Sequence, residues 1–194
     1  VGMSTLVSNL LGVDERGQTT TPVYTYADTR AEKDAVFLRS QLNEPDVHNR
    51  TGCRLHTSYI PARFLWLART RSEAFHRTKH WMTIGEYMFQ RLFGRTKVSY
   101  SVASWSGLLD RHRLAWDEPL LEFLPIGKEQ LSTLTDADQP QIGLRGEFAH
   151  RWPCLRDTPW FPAIGDGAVS NMGMGCISSH RVALSLGTSA AMRV

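Results

Sequence analysis

Ile164-Gly165-Asp166-Gly167-Ala168-Val169-Ser170-Asn171 is the stretch of sequence that most constrains the fold of this chain. It places a single acid among small residues at the start of a segment that can continue as a helix. A glycine-centred turn, Leu186-Gly187-Thr188-Ser189, follows and carries hydroxyl groups. A carboxylate near a turn rich in backbone N–H groups is typical of phosphoryl-transfer sites, because that chemistry depends on positioning and charge stabilisation.

Each stretch also has a purely structural interpretation. Asp is favoured at helix N-caps, so Asp166 can simply open a helix that continues from Ala168 to Met174. Gly and Ser are common turn formers, so Gly187, Thr188 and Ser189 can join two strands, Val182 to Leu186 and Ala191 to Val194, without binding a ligand. The two stretches become informative only together and in this order.

The small residues after Asp166 favour the functional interpretation. Gly167, Gly173 and Gly175 lie on or near the predicted helix. A glycine inside a helix costs about 1 kcal/mol relative to alanine, so several together indicate that a neighbouring element or a nucleotide approaches closely.

The rest of the chain alternates strand and helix patterns, which predicts an α/β fold. Leu6 to Val13 is predicted to be a strand, Asp14 to Gly17 a tight turn, and Pro22 to Tyr26 a return strand. Thr29 with Glu32, and Thr83 with Glu86, have the spacing of capping boxes and predict helices that extend to about Leu42 and to Gly94. Pro61 is predicted to open another helix.

Asp28 and Arg30 lie at a predicted strand-to-helix junction, where open α/β sheets bind ligands. An Asp–Arg pair there can hold the hydroxyls of a polyol, or Arg30 can bind a carboxylate. In the alternative interpretation the two side chains pair with each other and fix the turn. Ser104 is small enough to let a substrate approach, and it can equally belong to a packed turn.

The succession of segments resembles the FGGY family of carbohydrate kinases along nearly the whole chain. The similar segments, in family order, are Leu10 to Asp14, Pro22 to Ala31, Thr51 to His56, Ala62 to Leu67, Ile84 to Tyr87, Leu92 to Gly94, Ala103 to Asp110, Gly165 to Cys176, and Gly187 to Ser189. The Tyr26-Ala27-Asp28-Thr29-Arg30 form is most similar to gluconokinase-like members.

The resemblance implies an actin-like, ribonuclease H-like α/β fold. Residues 1–162 would form most of the N-terminal, sugar-binding lobe, and residues 163–194 the inter-lobe segment and first hairpin of the C-terminal, nucleotide-binding lobe. It implies ATP and Mg²⁺ as cofactors and a sugar or sugar acid as substrate, with gluconate favoured over xylulose or another polyol.

The same resemblance implies roles for individual residues. Asp166 would be the catalytic base, and Gly187, Thr188 and Ser189 would bind the nucleotide phosphates. Asp28, Arg30, Ser8 and Ser104 are the candidates for substrate binding. No metal ligand is assigned, because the acidic phosphate-binding turn of the family is expected to precede Val1.

The chain departs from the family pattern at positions that bear on the substrate. Ser8 stands where many relatives have a histidine that contacts substrate, Tyr26 replaces the usual tryptophan, and Ala190 replaces a common glycine. With both ends of the pattern missing, we expect an internal fragment with little activity alone. Two alternatives stay open at this point: a non-catalytic binding or assembly module, and an ATPase of the same superfold that has no sugar acceptor.

Composition sets further limits on function. The formal charge of +3 over 194 residues is small and the basic residues are scattered, so nucleic-acid binding is not expected. No apolar run is long enough to predict a membrane span. Cys53, Cys154 and Cys176 lack metal-ligand spacing and suit a reducing cytoplasm. His76 and His80 have no evident third ligand, so a surface pair is expected there rather than a zinc site. Sheet edges exposed in a fragment would favour self-association, and a homodimer is one possible form.

Overall fold

In the computed structural model, residues 1–186 and 190–193 are described, and short strands alternate with helices. The strands β1 to β10 are Ser4–Thr5, Leu11–Val13, His80–Met82, Lys97–Ser99, Leu109–Asp110, Ala115–Trp116, Thr133–Thr135, Ile164–Gly165, Ala183–Leu186 and Ala190–Arg193. The helices α1 to α9 are Glu32–Gln41, Glu44–Thr51, Ile60–Thr70, Ser72–Arg77, Ile84–Phe93, Tyr100–Ala103, Glu118–Leu121, Gly146–Arg151 and Asp166–Gly173. The predicted α/β class is confirmed.

Several of the strand pairs join segments that lie far apart in the sequence. β1 and β8 are parallel, with Ser4 opposite Ile164 and Thr5 opposite Gly165. β4 and β7 are also parallel, whereas β2 with β3, β5 with β6, and β9 with β10 are antiparallel. Because the carboxyl ends of parallel strands meet at one edge, the loop after β1 and the start of α9 after β8 lie together, at the position where α/β sheets bind ligands.

The main core forms around Trp81 of β3. Its ring lies against Phe64 of α3, with centroids 5.4 Å apart, and against Phe75 of α4, at 5.3 Å. All three side chains are buried, together with Leu38 of α1 and Leu67 of α3. Burial of each such side chain contributes about 1.5 to 3 kcal/mol, so this cluster fixes α3 and, with it, the residues that α3 presents to the edge described above.

Helix α5 begins and ends as the sequence predicts. The backbone N–H of Glu86 donates to the Thr83 hydroxyl at 3.4 Å, and the Thr83 N–H donates to the Glu86 carboxylate at 2.7 Å, which completes a capping box. Gly94 ends the helix in the left-handed conformation, with φ of 72°. Burial raises the pKa of the Glu86 carboxyl, and hydrogen bonds from Ser132 and Thr83 oppose that shift.

The capping box predicted at Thr29 and Glu32 is wrong. The N-cap of α1 is Ala31, and no side chain caps that end of the helix. Thr29 is exposed and uses its backbone carbonyl, not its hydroxyl, to accept the Glu32 N–H at 3.1 Å. The Glu32 carboxylate pairs with Arg39 at 3.4 Å, so it does not accept the backbone N–H that a capping box requires.

The single strand predicted from Leu6 to Val13 is also wrong, because the segment is interrupted. Ser8 has φ of 52°, a left-handed conformation that cannot continue a strand, and the extended backbone resumes as β2. The predicted return strand from Pro22 to Tyr26 is reduced to one bridge between Leu10 and Tyr24, and Pro22 has no N–H with which to extend it. The tight turn over residues 14–17 is confirmed, with Gly17 at φ of 75°.

The C-terminal hairpin has the predicted strands. β9 and β10 pair antiparallel, with Leu186 opposite Ala190. The predicted turn residues Gly187, Thr188 and Ser189 lie outside the described residues. Across the described part of the chain, no helix combines the length and the apolar character that crossing a bilayer requires.

The Thr-x-x-Glu sequences that begin at Thr29 and Thr83 provide a matched test of this fold. We expect Thr83→Ala to lower the free energy of unfolding by about 1 to 2 kcal/mol, because a helix N–H and the buried Glu86 carboxylate both lose a partner. Thr29→Ala, with the same sequence signature and no side-chain bond, should change it by less than about 0.5 kcal/mol. Urea unfolding followed by circular dichroism measures both, and equal losses would contradict the assignment of the cap.

Candidate active site

The loop that follows β1 turns into the protein at Ser8. The Ser8 side chain is 3% exposed, and its hydroxyl donates to the carbonyl oxygen of Trp105 at 2.5 Å. The next residue, Asn9, accepts the first N–H of α5, from Ile84, at 2.8 Å. A left-handed serine costs about 1 to 3 kcal/mol and persists only where its surroundings hold it. Here the carbonyl of Trp105 and the start of α5 do so.

The buried side chain of Arg63, a residue of α3, fixes the backbone of this loop. Its side chain is 1% exposed, and its guanidinium donates to three backbone carbonyls: Ser8 at 2.7 Å, Thr57 at 3.1 Å and Ser58 at 3.0 Å. Burial lowers the pKa of Arg63 to about 10, and the charge of Asp28 opposes that shift. The group is therefore still protonated at neutral pH, and it joins the Ser8 loop to the segment before α3.

Asp166 is the first residue of α9 and its side chain is exposed. It follows Gly165, whose N–H donates to the hydroxyl of Ser101 at 3.3 Å. A Cβ at Gly165 would lie only 2.6 Å from a methyl group of Val7, so a glycine is required for β8 to lie this close to the Ser8 loop. Asp166 does not act as the N-cap of its helix, since Gly165 occupies that position.

Asp28 and Arg30 pair with each other, as the structural alternative expected. The Arg30 Nε–H donates to one carboxylate oxygen at 2.9 Å, and Nη2 donates to the other at 2.5 Å. This hydrogen bond lowers the pKa of Asp28 below its usual value. The Arg30 guanidinium also lies over the ring of Trp66 at 4.5 Å. Its side chain is nonetheless 54% exposed, so the N–H groups that Asp28 does not use face solvent.

Ser104 lies at the C-terminal end of α6, in a packed turn. Its hydroxyl donates to the carbonyl of Ser101 at 2.9 Å, and its own carbonyl accepts from the Cys53 thiol at 3.3 Å. Burial raises the pKa of Cys53 to about 11, with a hydrogen bond from Tyr59 opposing the shift, so Cys53 is a neutral packing residue beneath this turn.

These contacts connect most of the predicted site residues. Ser8 contacts the segment next to Ser104 through Trp105 and is held by Arg63. The positive charge of Arg63 also helps to lower the pKa of Asp28. Ser101 links Ser104 to Gly165 and hence to Asp166. Asp166 and Arg30 are the members with exposed charged groups. The predicted nucleotide-binding residues Gly187, Thr188 and Ser189 lie outside the described residues.

A metal cage cannot be built from the described residues. Among them, no three His, Cys, Asp or Glu side chains converge as metal ligands. Magnesium in nucleotide sites usually has one or two carboxylates and several oxygens from phosphate and water. Asp166 is one exposed carboxylate at the edge, and a single carboxylate does not fix an ion.

Arg63 is the residue that sequence reasoning missed. In the sequence it is one residue of the family-like segment Ala62-Arg63-Phe64-Leu65-Trp66-Leu67, which assigns it no role of its own. The available signal was its position between Ala62 and Phe64 on a helix whose neighbours are apolar. Arginine is almost never fully buried unless its charge and donors are satisfied, so its place in such a segment indicates a set of buried acceptors.

Comparison with known proteins identifies the family of this chain. Residues 1–173 match the model of the FGGY family of carbohydrate kinases, N-terminal domain. The gluconokinase of Bacillus subtilis (strain 168) is 30% identical over 193 residues, which is 100% of this chain and 38% of that protein. The chain therefore spans about two fifths of the length of that relative.

Solved structures give the same result. The crystal structure of gluconate kinase from Lactobacillus acidophilus superposes with a TM-score of 0.91 at 28% identity, covering 97% of this chain and 38% of that one. The ligand-bound xylulose kinase from the same organism has a TM-score of 0.91 at 28% identity and covers 97% of this chain and 39% of that one. The expected actin-like α/β fold is confirmed for the N-terminal part. The chain belongs to the FGGY family of carbohydrate kinases.

Proposed function

We propose that this chain supplies the sugar-binding lobe and the catalytic base of an ATP-dependent kinase that phosphorylates a hydroxyl of a sugar acid. Gluconate is the favoured substrate, and xylulose or another polyol is the alternative. The observation that carries the proposal is the exposed Asp166 carboxylate at the carboxyl end of β8, beside the loop that follows β1. Family membership supports the reaction class, and the 30% identity to a gluconokinase supports the sugar acid.

In the proposed mechanism, Asp166 accepts the proton of the substrate hydroxyl as that oxygen forms its bond to phosphorus. ATP supplies its terminal phosphoryl group when bound, and the bond between that phosphorus and the oxygen of the leaving ADP breaks. A positioned carboxylate contributes by orienting and deprotonating the attacking oxygen. The exposed position at the start of α9 leaves the carboxylate accessible to a substrate. We propose Gly187, Thr188 and Ser189 as the nucleotide-binding turn and Mg²⁺ as the ion that offsets phosphate charge.

Arg30 is proposed as the group that binds the substrate carboxylate. Asp28 uses two of its five N–H donors, and stacking on Trp66 holds the plane of the guanidinium. The remaining donors suit the bidentate geometry of a carboxylate. Asp28 then orients Arg30, and Ser8 and Ser104 shape the floor of the site, since both hydroxyls already donate to backbone carbonyls.

Arg63 is proposed as a positioning residue. Its side chain is buried, and it holds the backbone of the Ser8 loop against the segment before α3, so it fixes the position of that loop in the sugar site. A shift of about 1 Å at such a support can cost about 100-fold in rate, because the reacting groups lose their alignment.

Further features of the whole protein are also proposals. Residues 1–162 form the sugar-binding lobe, and residues 163–194 begin the nucleotide-binding lobe. The cysteines Cys53, Cys154 and Cys176 are free thiols, which supports a reducing cytoplasm. A homodimer remains a prediction to be checked by light scattering.

The base role of Asp166 is tested in a longer protein that contains this chain and has the full length of the gluconokinase relative. We expect Asp166→Asn to lower kcat by about 100-fold to 10,000-fold, because the proton acceptor is lost while the size of the side chain is kept. Gluconate-dependent ADP release measures turnover, and calorimetry should show nucleotide binding unchanged. Asp157→Asn, which alters another exposed carboxylate, is the control. Near-normal turnover in Asp166→Asn would remove the proposed mechanism.

The role of Arg30 is tested by comparing substrates. Arg30→Met should raise the KM for gluconate by about 10-fold or more, since a charge-assisted bidentate contact contributes about 1.5 to 3 kcal/mol. The KM for xylulose, which has no carboxylate, should change far less. Arg69→Met is the matched control, because Arg69 has the same 54% side-chain exposure and the same kind of pair, with Asp34. Equal effects on both substrates would show that Arg30 serves only the turn.

The role of Arg63 is tested with Arg63→Lys, which keeps the charge and removes the fork of donors. We expect the KM for gluconate to rise and kcat to fall, each by about 10-fold, while the KM for ATP stays unchanged. A merely structural role would reduce only the amount of folded enzyme, seen as a lower kcat with both KM values unchanged. Circular dichroism and active-site titration distinguish these outcomes.

A further inference from the structure

Besides the candidate active site, the structure has a second polar region, a cavity at the C-terminal end of α5. Asn9 lies at the opposite, N-terminal end of that helix. The volume of the cavity is about 300 Å³, and its lining includes Arg16, Arg91 and Arg145 together with a single carboxylate, Glu147. A helix of ten residues is about 15 Å long, and Asn9 contacts its first turn, whereas the cavity contacts its last. The cavity is therefore separate from the edge that carries Asp166.

The cavity has an excess of positive charge. Arg16, Arg91 and Arg145 form no ion pair within residues 1–186 and 190–193, in contrast to Arg30, Arg50 and Arg69. Three guanidinium groups face one glutamate, which leaves a formal charge of +2 at the lining. Guanidinium groups are weakly hydrated and present paired N–H donors, and both properties suit the oxygens of a phosphate group.

The backbone fixes where these arginines start. Arg16 lies in the turn closed by Asp14, whose carboxylate accepts the N–H of Arg16 and of Gln18 at 2.9 Å each. Arg91 lies in the last turn of α5, and the N–H of Arg145 donates to the Leu92 carbonyl in that turn at 2.8 Å. Three segments distant in sequence are thus held together around one space, and less ordering of the backbone is needed on binding.

Gln90 adds a second, independent observation. It lines the same cavity, and its amide oxygen is buried with no hydrogen-bond partner among the described residues. Such an acceptor costs about 1 to 3 kcal/mol until a donor reaches it. The oxygen has no accessible surface in this arrangement, so the Gln90 amide has to turn toward the cavity before a ligand can reach it. A hydroxyl on the flexible arm of a phosphorylated polyol can then donate to it, whereas inorganic phosphate has no such arm.

We propose that this cavity binds a small phosphomonoester that carries free hydroxyl groups. Its phosphate lies among Arg16, Arg91 and Arg145, and one hydroxyl donates to the Gln90 amide oxygen. The site is separate from the proposed catalytic edge, so its occupancy is measurable without turnover.

Calorimetric titration of this chain tests the proposal with three probes: glycerol 3-phosphate, inorganic phosphate and glycerol. We expect glycerol 3-phosphate to bind most tightly, inorganic phosphate about 10-fold more weakly, and glycerol not at all. Absence of heat with both phosphates, or equal binding of glycerol and glycerol 3-phosphate, would overturn the proposal.

Two variants assign the binding to this cavity. Arg145→Gln should weaken glycerol 3-phosphate at least 10-fold, whereas Arg113→Gln, which removes another exposed positive charge, should change it by less than 2-fold. Gln90→Leu should abolish the preference for glycerol 3-phosphate over inorganic phosphate and leave phosphate binding intact. Equal weakening by Arg145→Gln and Arg113→Gln would show a general charge effect and contradict the site. An affinity unchanged by Arg145→Gln and Gln90→Leu would place the ligand elsewhere.

Discussion

The buried guanidinium of Arg63 is the interaction on which the rest of this site depends. Removing a cation from water is costly, and the cost is offset here by three backbone carbonyls and by the nearby charge of Asp28. Because those carbonyls belong to the Ser8 loop and to the segment before α3, the two terminal nitrogens of one side chain fix two parts of the substrate edge. The buried Nε–H of Arg63 has no partner among the described residues. The aromatic packing of Phe64 against Trp81 places α3, and therefore Arg63, in the correct position.

The parallel pairing of β1 with β8 is the second constraint. It brings Asp166 beside a loop that lies about 160 residues earlier in the chain. The approach is close enough that Gly165 has no room for a side chain, since Val7 occupies that space. Gly165 therefore has a packing reason within the protein. Gly173, further along α9, has open space where a Cβ would lie, so packing within the described residues does not require a glycine there.

Local sequence signals succeeded where the elements they describe are also held by the core. The Thr83–Glu86 capping box, the Pro61 start of α3 and the Gly94 end of α5 all formed as predicted. The same signature at Thr29 and Glu32 failed, because both side chains lie at the surface, where Arg39 competes for the glutamate. The strand predicted over Leu6 to Val13 failed for a related reason. Its apolar pattern is real, but the tertiary bonds from Trp105 and Arg63 hold Ser8 in a left-handed conformation that no local pattern reveals.

The sequence by itself determined the α/β class, the family, the candidate acid Asp166 and the Asp28–Arg30 pair, because motif spacing and element order are visible in the order of the residues along the chain. Only the tertiary structure decided how these residues are used. It paired Asp28 with Arg30, turned the Ser8 and Ser104 hydroxyls onto backbone carbonyls, and gathered arginines from three segments around the second cavity. The physical reason is that hydrogen bonds and charge pairs depend on distances between groups far apart in the chain. Those distances are set by strand pairing and core packing, which periodicity and spacing along the sequence do not encode.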